Sequence, residues 1–255
     1  MQVNRYVTPL REGGSLPAIA EADDGFLYVL KFRGAGQGVK ALIAEVIGGE
    51  LARAAGLKVP ELVLATLDEG FGRTEPDEEI QNLLKASIGL NIGLHYLSGS
   101  ITFDPVSTQV GATLASRIVW LDALLTNVDR TARNTNLLSW NRELWLIDHG
   151  ASLYFHHNWA QWQEQAIRPF AAIKDHVLLP FAEELEAADT FMQEQLTPEL
   201  IREVVQQVPD NWLLAYPDEG TPEEKKQIYT DFLITRRANA PVFLKAATDA
   251  RKALV

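Results

Sequence analysis

Residues 121–150, LDALLTNVDRTARNTNLLSWNRELWLIDHG, constrain the fold of this chain more than any other segment. The apolar periodicity of residues 114–125 predicts a helix that leads into this segment. A polar loop comes next, and two short apolar runs then flank Asn141 and Arg142, which is typical of a β-hairpin. The second run ends directly on Asp148. The sequence therefore predicts a helix, a polar loop and a hairpin, with an acidic residue where the last strand ends.

Three oxygen-bearing side chains stand out in this segment: Asp129, Asn134 and Asp148. In phosphoryl-transfer enzymes one Asp accepts the proton of the acceptor hydroxyl, while an Asn and a second Asp bind magnesium beneath the nucleotide phosphates. Magnesium prefers a few hard oxygen ligands beside phosphate and water. Asp and Asn are also ordinary turn residues, and their spacing alone occurs by chance. The helix, loop and hairpin around them favour the phosphoryl-transfer interpretation.

The pattern N-x-D-R-x-x-x-N followed by I-D-H-G resembles the HipA-like kinases and, more distantly, the phosphatidylinositol-kinase branch of the protein-kinase-like fold. The segments YVLKF and AEVIGGELARAAGLKVPE are also similar to segments of that family. The resemblance covers roughly residues 1–155 well and the remainder poorly. It implies that Asp129 is the catalytic Asp and that Asn134 and Asp148 bind the metal. The glycine that follows the last Asp is present as Gly150.

Lys31 lies in an apolar run, residues 25–32, which predicts a strand. Strand alternation places Lys31 on the same face as Leu27 and Val29. A lysine in this position either extends its amine into solvent or reaches into a cleft to bind phosphate. The resemblance aligns Lys31 with the family's ATP-binding lysine and favours a role in nucleotide binding and catalysis.

Gly13, Gly14 and Ser15 precede this strand, where a kinase-like protein folds a loop over the phosphates. Backbone amides of a glycine turn can bind phosphate oxygens. The segment is not a G-x-G-x-x-G motif, however, and a simple hairpin turn is an equal alternative. These three residues are therefore candidates for nucleotide binding.

The pattern of residues 39–55 predicts a helix that contains two glycines in its middle, of which Gly48 is the first. A glycine there costs about 1 kcal/mol relative to alanine, which implies close packing against another element. The resemblance implies that Glu45 of this helix belongs to the nucleotide site and pairs with Lys31. Glu50 is the alternative partner, and a solvated helix charge remains an alternative for both acids.

Residues 80–97 are expected to connect a small lobe to a larger one. Four consecutive residues at the end of this segment are candidates for the adenine site, with backbone groups and apolar walls against the base: Leu94, His95, Tyr96 and Leu97. Small and turn-forming residues at 98–107 mark the expected lobe boundary.

Composition excludes several classes of protein. The chain has 255 residues, with 23 basic and 34 acidic side chains and a net charge of −11. Such an acidic chain is unsuited to non-specific nucleic-acid binding or to anionic membrane surfaces. It contains no cysteine, which excludes disulfide, zinc–thiolate and thiol chemistry. No apolar run has the length of a membrane span, so we expect a cytoplasmic protein with no direct nucleic-acid or membrane partner.

We expect an α+β, two-lobed protein-kinase-like fold, with a small antiparallel sheet lobe at 1–97 that binds nucleotide and a larger, mostly helical catalytic lobe at 98–255. The resemblance implies an ATP- and Mg²⁺-dependent serine/threonine protein kinase with Asp129 as the catalytic base. Its partners would be ATP and a hydroxyl-bearing acceptor.

Two other functions compete with this one. The first is a kinase of a small molecule or lipid, because a fold does not determine its substrate. The second is a non-catalytic nucleotide-binding interaction module, against which the complete Asp129, Asn134 and Asp148 set argues. Nothing in the sequence separates a protein acceptor from a small one. HipA proteins work with a DNA-binding antitoxin partner, and this shorter acidic chain gives no independent sign of one.

Overall fold

The computed structural model describes residues 1–10, 16–36, 38–72, 75–215 and 220–254. Gly13, Gly14 and Ser15, the candidate phosphate loop, lie outside the described residues. The contacts within the chain divide it into two compact units. The first comprises Met1–Ile43 and Pro60–Gly99, and the second comprises Ala44–Val59 and Ser100–Val255.

The first unit contains a five-stranded sheet in the order β1-β2-β3-β5-β4, with every neighbouring pair antiparallel. Its strands are β1 (Val3–Pro9), β2 (Ala18–Ala22), β3 (Leu27–Lys31), β4 (Leu62–Leu67) and β5 (Gly89–His95). The sequence did not predict β2, because its AIAEA run is rich in alanine, which strands disfavour. Pairing with β1 and β3 on its two sides decides its conformation instead.

Alternation along β3 separates a buried face from an accessible one, as the sequence predicts. Tyr28 and Leu30 are buried, whereas Leu27 is exposed and Lys31 is half-buried. Leu30 of the buried face belongs to a hydrophobic core cluster that also contains Ile80 and Leu84 of helix α2 (Glu78–Ala86). The side chain of Asp77 caps α2 by accepting hydrogen bonds from the backbone of its first turn.

Helix α1 (Val39–Ala54) is followed by a glycine C-cap motif. Gly56 has a φ of +76°, in the left-handed region that glycine adopts without a Cβ penalty. The Gly56 amide donates to the carbonyl of Arg53 at 2.9 Å, and the Leu57 amide donates to that of Ala52 at 3.0 Å. These two bonds form a Schellman motif, which satisfies the last helical carbonyls.

A second, three-stranded sheet lies in the second unit, in the order β6-β7-β8. Its strands are β6 (Ile101–Thr102), β7 (Leu137–Trp140) and β8 (Glu143–Leu146). Asn141 and Arg142 join β7 to β8 with φ values of +50° and +64°, which is the backbone of a type I′ hairpin turn. The predicted hairpin is therefore confirmed.

Helix α3 (Ala112–Leu125) is the central element of the second unit, and ten of its 14 residues are buried. Trp120 donates from its indole to Asp189 at 2.8 Å and contacts Phe243 edge-to-face. The surrounding helices are α4 (Trp162–Ala166), α5 (Leu185–Gln195), α6 (Pro198–Gln206), α7 (Asp210–Leu213), α8 (Pro222–Ala238) and α9 (Ala240–Lys252). Among the described residues, no helix combines the length and apolarity that crossing a membrane requires.

Candidate active site

The carboxylate of Asp129 is held by two amide side chains. Asn134 donates from Nδ2 to Oδ2 of Asp129 at 2.7 Å, and Asn136 donates to the same oxygen at 3.2 Å. The backbone amide of Asp129 donates to Oδ1 of Asn127 at 3.1 Å. Asp129 is half-buried, whereas Asn134 is exposed. Because both amides bind one oxygen, the other oxygen of Asp129 remains as a hydrogen-bond acceptor for a further group.

A tight turn brings Asn134 back to Asp129. The Thr131 amide donates to the Asn134 carbonyl at 2.9 Å, and the Asn134 amide donates to the Thr131 hydroxyl at 3.3 Å. Thr126 ends α3 in the left-handed conformation, with a φ of +55°, so that the chain leaves the helix and enters this loop. The five-residue spacing seen in the sequence is thus the spacing that closes this turn.

Beneath the loop lies a buried ionic cluster centred on Asp122, a residue of α3. Arg130 donates from Nε to Asp122 at 2.6 Å, and Asn127 donates to its other oxygen at 3.0 Å. His176 contacts the same carboxylate through Nε2 at 2.9 Å. The backbone amide of Leu178 donates to Nδ1 of His176 at 3.0 Å, so Nδ1 is an acceptor and Nε2 is the ring nitrogen that donates to Asp122.

This arrangement sets the ionisation of Asp122. Complete burial alone would raise the pKa of Asp122, since a carboxylate loses its hydration. The charge of Arg130 and the hydrogen bond from His176 outweigh burial and hold the pKa of Asp122 well below its usual range. Asp122 and Arg130 therefore form a charged pair at the base of the loop that carries Asp129.

Arg130 also ties this loop to the strand end that carries Asp148. Its Nη1 donates to the carbonyl of Asn136 and, at 3.2 Å, to that of Ile147. The Ile147 amide donates in turn to the Asn136 carbonyl at 3.1 Å. Because Ile147 directly precedes Asp148, one buried guanidinium positions both the loop of Asp129 and the backbone before Asp148.

Asp148 is half-buried and has a φ of +55°, a left-handed conformation that is uncommon outside glycine and concentrates at functional sites. The next residue, His149, is fully buried, and its backbone amide donates to Oε2 of Glu45 at 2.8 Å. A Cβ at Gly48 would lie 2.7 Å from the Cβ of His149. Gly48 therefore permits the close approach of α1 that the sequence predicts.

Of the two candidate acids on α1, only Glu45 is buried, and it contacts His149, the residue after Asp148. Its carboxylate is 1 % exposed and lies 3.9 Å from Nδ1 of His149. Glu50 forms an ion pair with Arg53 on the same helix at 3.3 Å. The structure thus places Glu45 beside the metal-ligand candidate and Glu50 in a local helical pair.

Asn134 and Asp148, the two metal-ligand candidates, both lie in the second unit. An amide oxygen and a carboxylate are hard ligands, the kind that Mg²⁺ and Mn²⁺ accept beside phosphate and water. In the described part of the chain, no three His, Cys, Asp or Glu side chains converge as a potential metal site. The set therefore fits an ion that takes its remaining ligands from a nucleotide and from water.

Lys31 belongs to the first unit, where it is the last residue of β3 and lies opposite Ile92 of β5. Strand β3 lies between β2 and β5 and is hydrogen-bonded to both, which fixes the backbone from which the lysine extends.

The adenine-site candidates lie at the end of β5 and just after it. Leu94 and His95 are the last strand residues, paired with β3 and β4, and Leu94 is buried. The Tyr96 amide donates to the Leu27 carbonyl at 2.9 Å, so pairing extends one residue beyond the strand, and Leu97 is buried. The four residues are thus a sheet strand and its exit, within the first unit.

Several residues of this site escaped the sequence reasoning, above all Asp122 and His176. Asp122 had a signal, since it is an acid in an otherwise apolar helical stretch, and buried acids need a partner. His176 had none, because it lies 54 residues further along the chain. Asn136 was hidden in the run of turn-forming residues around Asn134.

A sequence model of a family described as HipA-like kinase matches residues 3–243 of the chain. No curated protein sequence matches it. Among solved structures, the proinflammatory kinase CtkA of Helicobacter pylori aligns with a TM-score of 0.60 and 13% identity, over 99% of this chain and 96% of that one. A Golgi casein kinase with Mn/ADP bound aligns with a TM-score of 0.57 and 13% identity, over 100% of this chain and 76% of that one.

These two structures share a protein-kinase-like fold with the chain, which confirms the predicted α+β, two-lobed class. At 13% identity these structures establish the fold alone. The family match establishes the family and the kinase activity. Since that match covers nearly the whole sequence, the chain belongs to the HipA-like kinase family and is a kinase.

Proposed function

We propose that this kinase transfers the γ-phosphoryl group of ATP to a hydroxyl group, with Asp129 as the base. The observation that carries the proposal is the pair of amides, from Asn134 and Asn136, on a single oxygen of Asp129. They fix the carboxylate and leave its second oxygen for an acceptor hydroxyl. A positioned base within hydrogen-bond reach of the proton is the first requirement of general-base catalysis.

In the proposed step, Asp129 accepts the proton of the acceptor hydroxyl as its oxygen forms a bond to the γ-phosphorus. The bond between that phosphorus and the bridging oxygen breaks, and ADP leaves with the electron pair. Asn134 and Asn136 keep the carboxylate oriented throughout, because both donate to the oxygen that does not take the proton. This orienting role uses only hydrogen bonds within the catalytic loop.

Asn134, through Oδ1, and Asp148 would hold a divalent cation, with Mg²⁺ the expected ion. The hard oxygen donors fit it, and Asn134 uses its Nδ2 for Asp129, which leaves Oδ1 for a metal. A bound ion of this kind neutralises the charge of the nucleotide phosphates. The similar Golgi casein kinase is a structure with manganese and ADP, which supports nucleotide and divalent-ion use here.

The first unit would bind the nucleotide. Lys31 would contact its phosphates, an assignment supported by the family membership and by its place at the end of β3. Gly13, Gly14 and Ser15 keep their proposed role as a phosphate loop. Four residues at the end of β5 keep theirs as the adenine site: Leu94, His95, Tyr96 and Leu97. Glu45 would support the metal site through the backbone of His149, the residue after Asp148.

The acceptor we propose is a serine or threonine hydroxyl of a protein, in keeping with the family. A small molecule or lipid is the alternative. Incubation of the purified chain with radiolabelled ATP and cell extract distinguishes them, when the products are resolved both on a protein gel and by thin-layer chromatography. A labelled protein band supports the protein acceptor, whereas a labelled spot on the chromatogram alone supports the small one.

Two variants measured side by side test the roles of the acids. Asp129→Asn should retain ATP and metal affinity while phosphate transfer falls about 10²–10⁴-fold, the usual contribution of acid–base catalysis. Asp148→Asn should lose metal-dependent ATP binding itself, and EDTA should have the same effect on the wild type. Asp175→Asn, at an exposed position outside the site, is the matched control and should change neither property.

Equal loss of ATP binding in Asp129→Asn and Asp148→Asn would show that Asp129 is a ligand or a structural residue, not the base. Equal ATP affinity with and without EDTA would contradict the metal assignment. If the wild type binds ATP but labels nothing, the protein is a nucleotide-binding module and the proposed reaction is wrong.

A further inference from the structure

A pocket of about 220 Å³ lies in the second unit, directly beside the catalytic loop. Four of its ten lining residues are aromatic, and the residues that matter here are Val128, Tyr154, Phe155, Phe170, Phe232 and Arg236. Phe155 and Phe232 stack with ring centroids 3.8 Å apart and form a rigid wall. Tyr154 and Val128 are 57% and 42% exposed and form the rim. The pocket thus has room for a ring-sized group and is open to solvent.

Arg236, the single basic residue of the pocket that is buried, is 1% exposed. Its Nε donates to the Ala123 carbonyl at 2.9 Å, and its Nη1 donates to the Arg168 carbonyl at 2.9 Å and to that of Ala166 at 3.2 Å. Its Nη2 is buried and finds no hydrogen-bond partner among the described residues. Within the residues that the structure describes, no carboxylate forms an ion pair with it.

A buried guanidinium without a counter-ion is energetically unfavourable, because burial removes its hydration and nothing of opposite charge replaces it. Burial lowers the pKa of Arg236 to about 10, in agreement with the absence of a nearby carboxylate. Backbone carbonyls satisfy two of its nitrogens but carry no net charge. The third nitrogen and the positive charge are therefore what the folded chain leaves unsatisfied.

We propose that this pocket binds a carboxylate carried on a ring-sized apolar group, and that this group belongs to the phosphate acceptor. The aromatic walls would pack against the ring, and Arg236 would supply its unpaired Nη2 and its charge to the carboxylate. A charge-assisted hydrogen bond to a guanidinium is among the stronger polar contacts in proteins.

The location of the pocket connects it to the reaction. Val128 on its rim directly precedes Asp129, so the two Cα atoms lie about 3.8 Å apart. Thr126, also a lining residue, is the residue that turns the chain from α3 into the catalytic loop. A ligand anchored here lies against the loop that carries the base. This acceptor role rests on the proposed function, whereas binding to the pocket does not.

Direct binding is measured by calorimetric titration of the full chain with phenylacetate, without nucleotide or metal. Phenylacetamide has the same shape without the charge and serves as the neutral probe. We expect phenylacetate to bind at least about tenfold more tightly than phenylacetamide, since one charge-assisted hydrogen bond distinguishes them. Equal binding of both probes, or of neither, would overturn the proposal.

A substitution at the rim locates the binding without disturbing the core. Val128→Trp should fill the pocket and abolish phenylacetate binding, while Val106→Trp, the same change at a residue that is 93% exposed and not a lining residue, should preserve it. Arg236→Leu should remove the preference for the carboxylate. If Arg236→Leu does not fold, the result for Val128→Trp tests the proposal. Retained binding in Val128→Trp would overturn the assignment.

The acceptor role is tested in the extract assay with radiolabelled ATP. Excess phenylacetate should suppress labelling of the acceptor, and phenylacetamide should not. Labelling that persists at saturating phenylacetate would overturn the acceptor role while the kinase reaction stands. If nothing is labelled at all, the proposed function fails, and the titrations with the two probes still decide whether the pocket binds a carboxylate.

Discussion

Arg130 and Asp122 form a fully buried ion pair, 2.6 Å from Nε to Oδ2, with both side chains inaccessible to solvent. The pair joins α3 to the catalytic loop, and further bonds from Arg130 reach the carbonyls of Asn136 and Ile147. Asp129 directly precedes Arg130 in the loop, and Asp148 directly follows Ile147. The geometry of the proposed reaction centre therefore depends on two charges that take no part in the reaction.

We expect Asp122→Asn to lower the free energy of unfolding by about 3–5 kcal/mol, because it leaves the charge of Arg130 buried without a counter-ion. Urea unfolding followed by circular dichroism measures the change. Asp175→Asn, at an exposed position, is the control and should lie within about 0.5 kcal/mol of the wild type. Equal midpoints for the wild type and Asp122→Asn would show that the pair contributes nothing to stability.

The same carboxylate predicts a dependence of stability on pH. The pKa of Asp122 is held below its usual range in the folded state, whereas an unfolded Asp has a pKa of about 3.9. Between these pKa values the unfolded chain binds more protons, so the contribution of Asp122 is complete above about pH 4 and is lost as the pH falls toward the folded pKa. Urea midpoints below about pH 4 should therefore fall less steeply in Asp122→Asn than in the wild type. Identical pH profiles would contradict this prediction.

Gly48→Ala should destabilise the chain although alanine is the better helix former. The added Cβ would lie 2.7 Å from the Cβ of His149, and such overpacking typically costs about 1–3 kcal/mol, against a gain of about 1 kcal/mol from helix propensity. Gly70→Ala is the control, because a Cβ at Gly70 meets nothing within 4 Å. Thermal unfolding of both variants measures the difference, and a Gly48→Ala variant more stable than wild type would refute the close approach.

Lys31→Ala should weaken ATP binding by about tenfold or more, since it removes a charge-assisted phosphate contact. We expect the melting temperature to change little, because Lys31 is half-buried at the end of β3. Calorimetry with ATP and Mg²⁺ measures the affinity, and Lys85→Ala, on the exposed face of α2, is the control. A collapse of the melting temperature would place Lys31 in a structural ion pair, and unchanged affinity would show that the assigned role is wrong.

The sequence alone determined the frame of the candidate site. Apolar periodicity predicted α3, and the two apolar runs around Asn141 and Arg142 predicted the hairpin. Both predictions were possible because the spacing of apolar residues within a short segment favours one type of secondary structure. The mid-helix glycine predicted the close packing at Gly48. The family motif then gave three candidate site residues, Asp129, Asn134 and Asp148, which lie close together in sequence around that hairpin.

Only the tertiary structure decided what holds these residues in place. Asp122 and His176 are 54 residues apart, and no local pattern relates a buried acid to a distant imidazole. Strand β2 was decided by the strands on either side of it, since its own residues favour no strand. Arg236 became a candidate ligand-binding residue because folding buries it without a counter-ion. Burial and charge pairing are properties of the packed chain, so the sequence could supply the charges but not their partners.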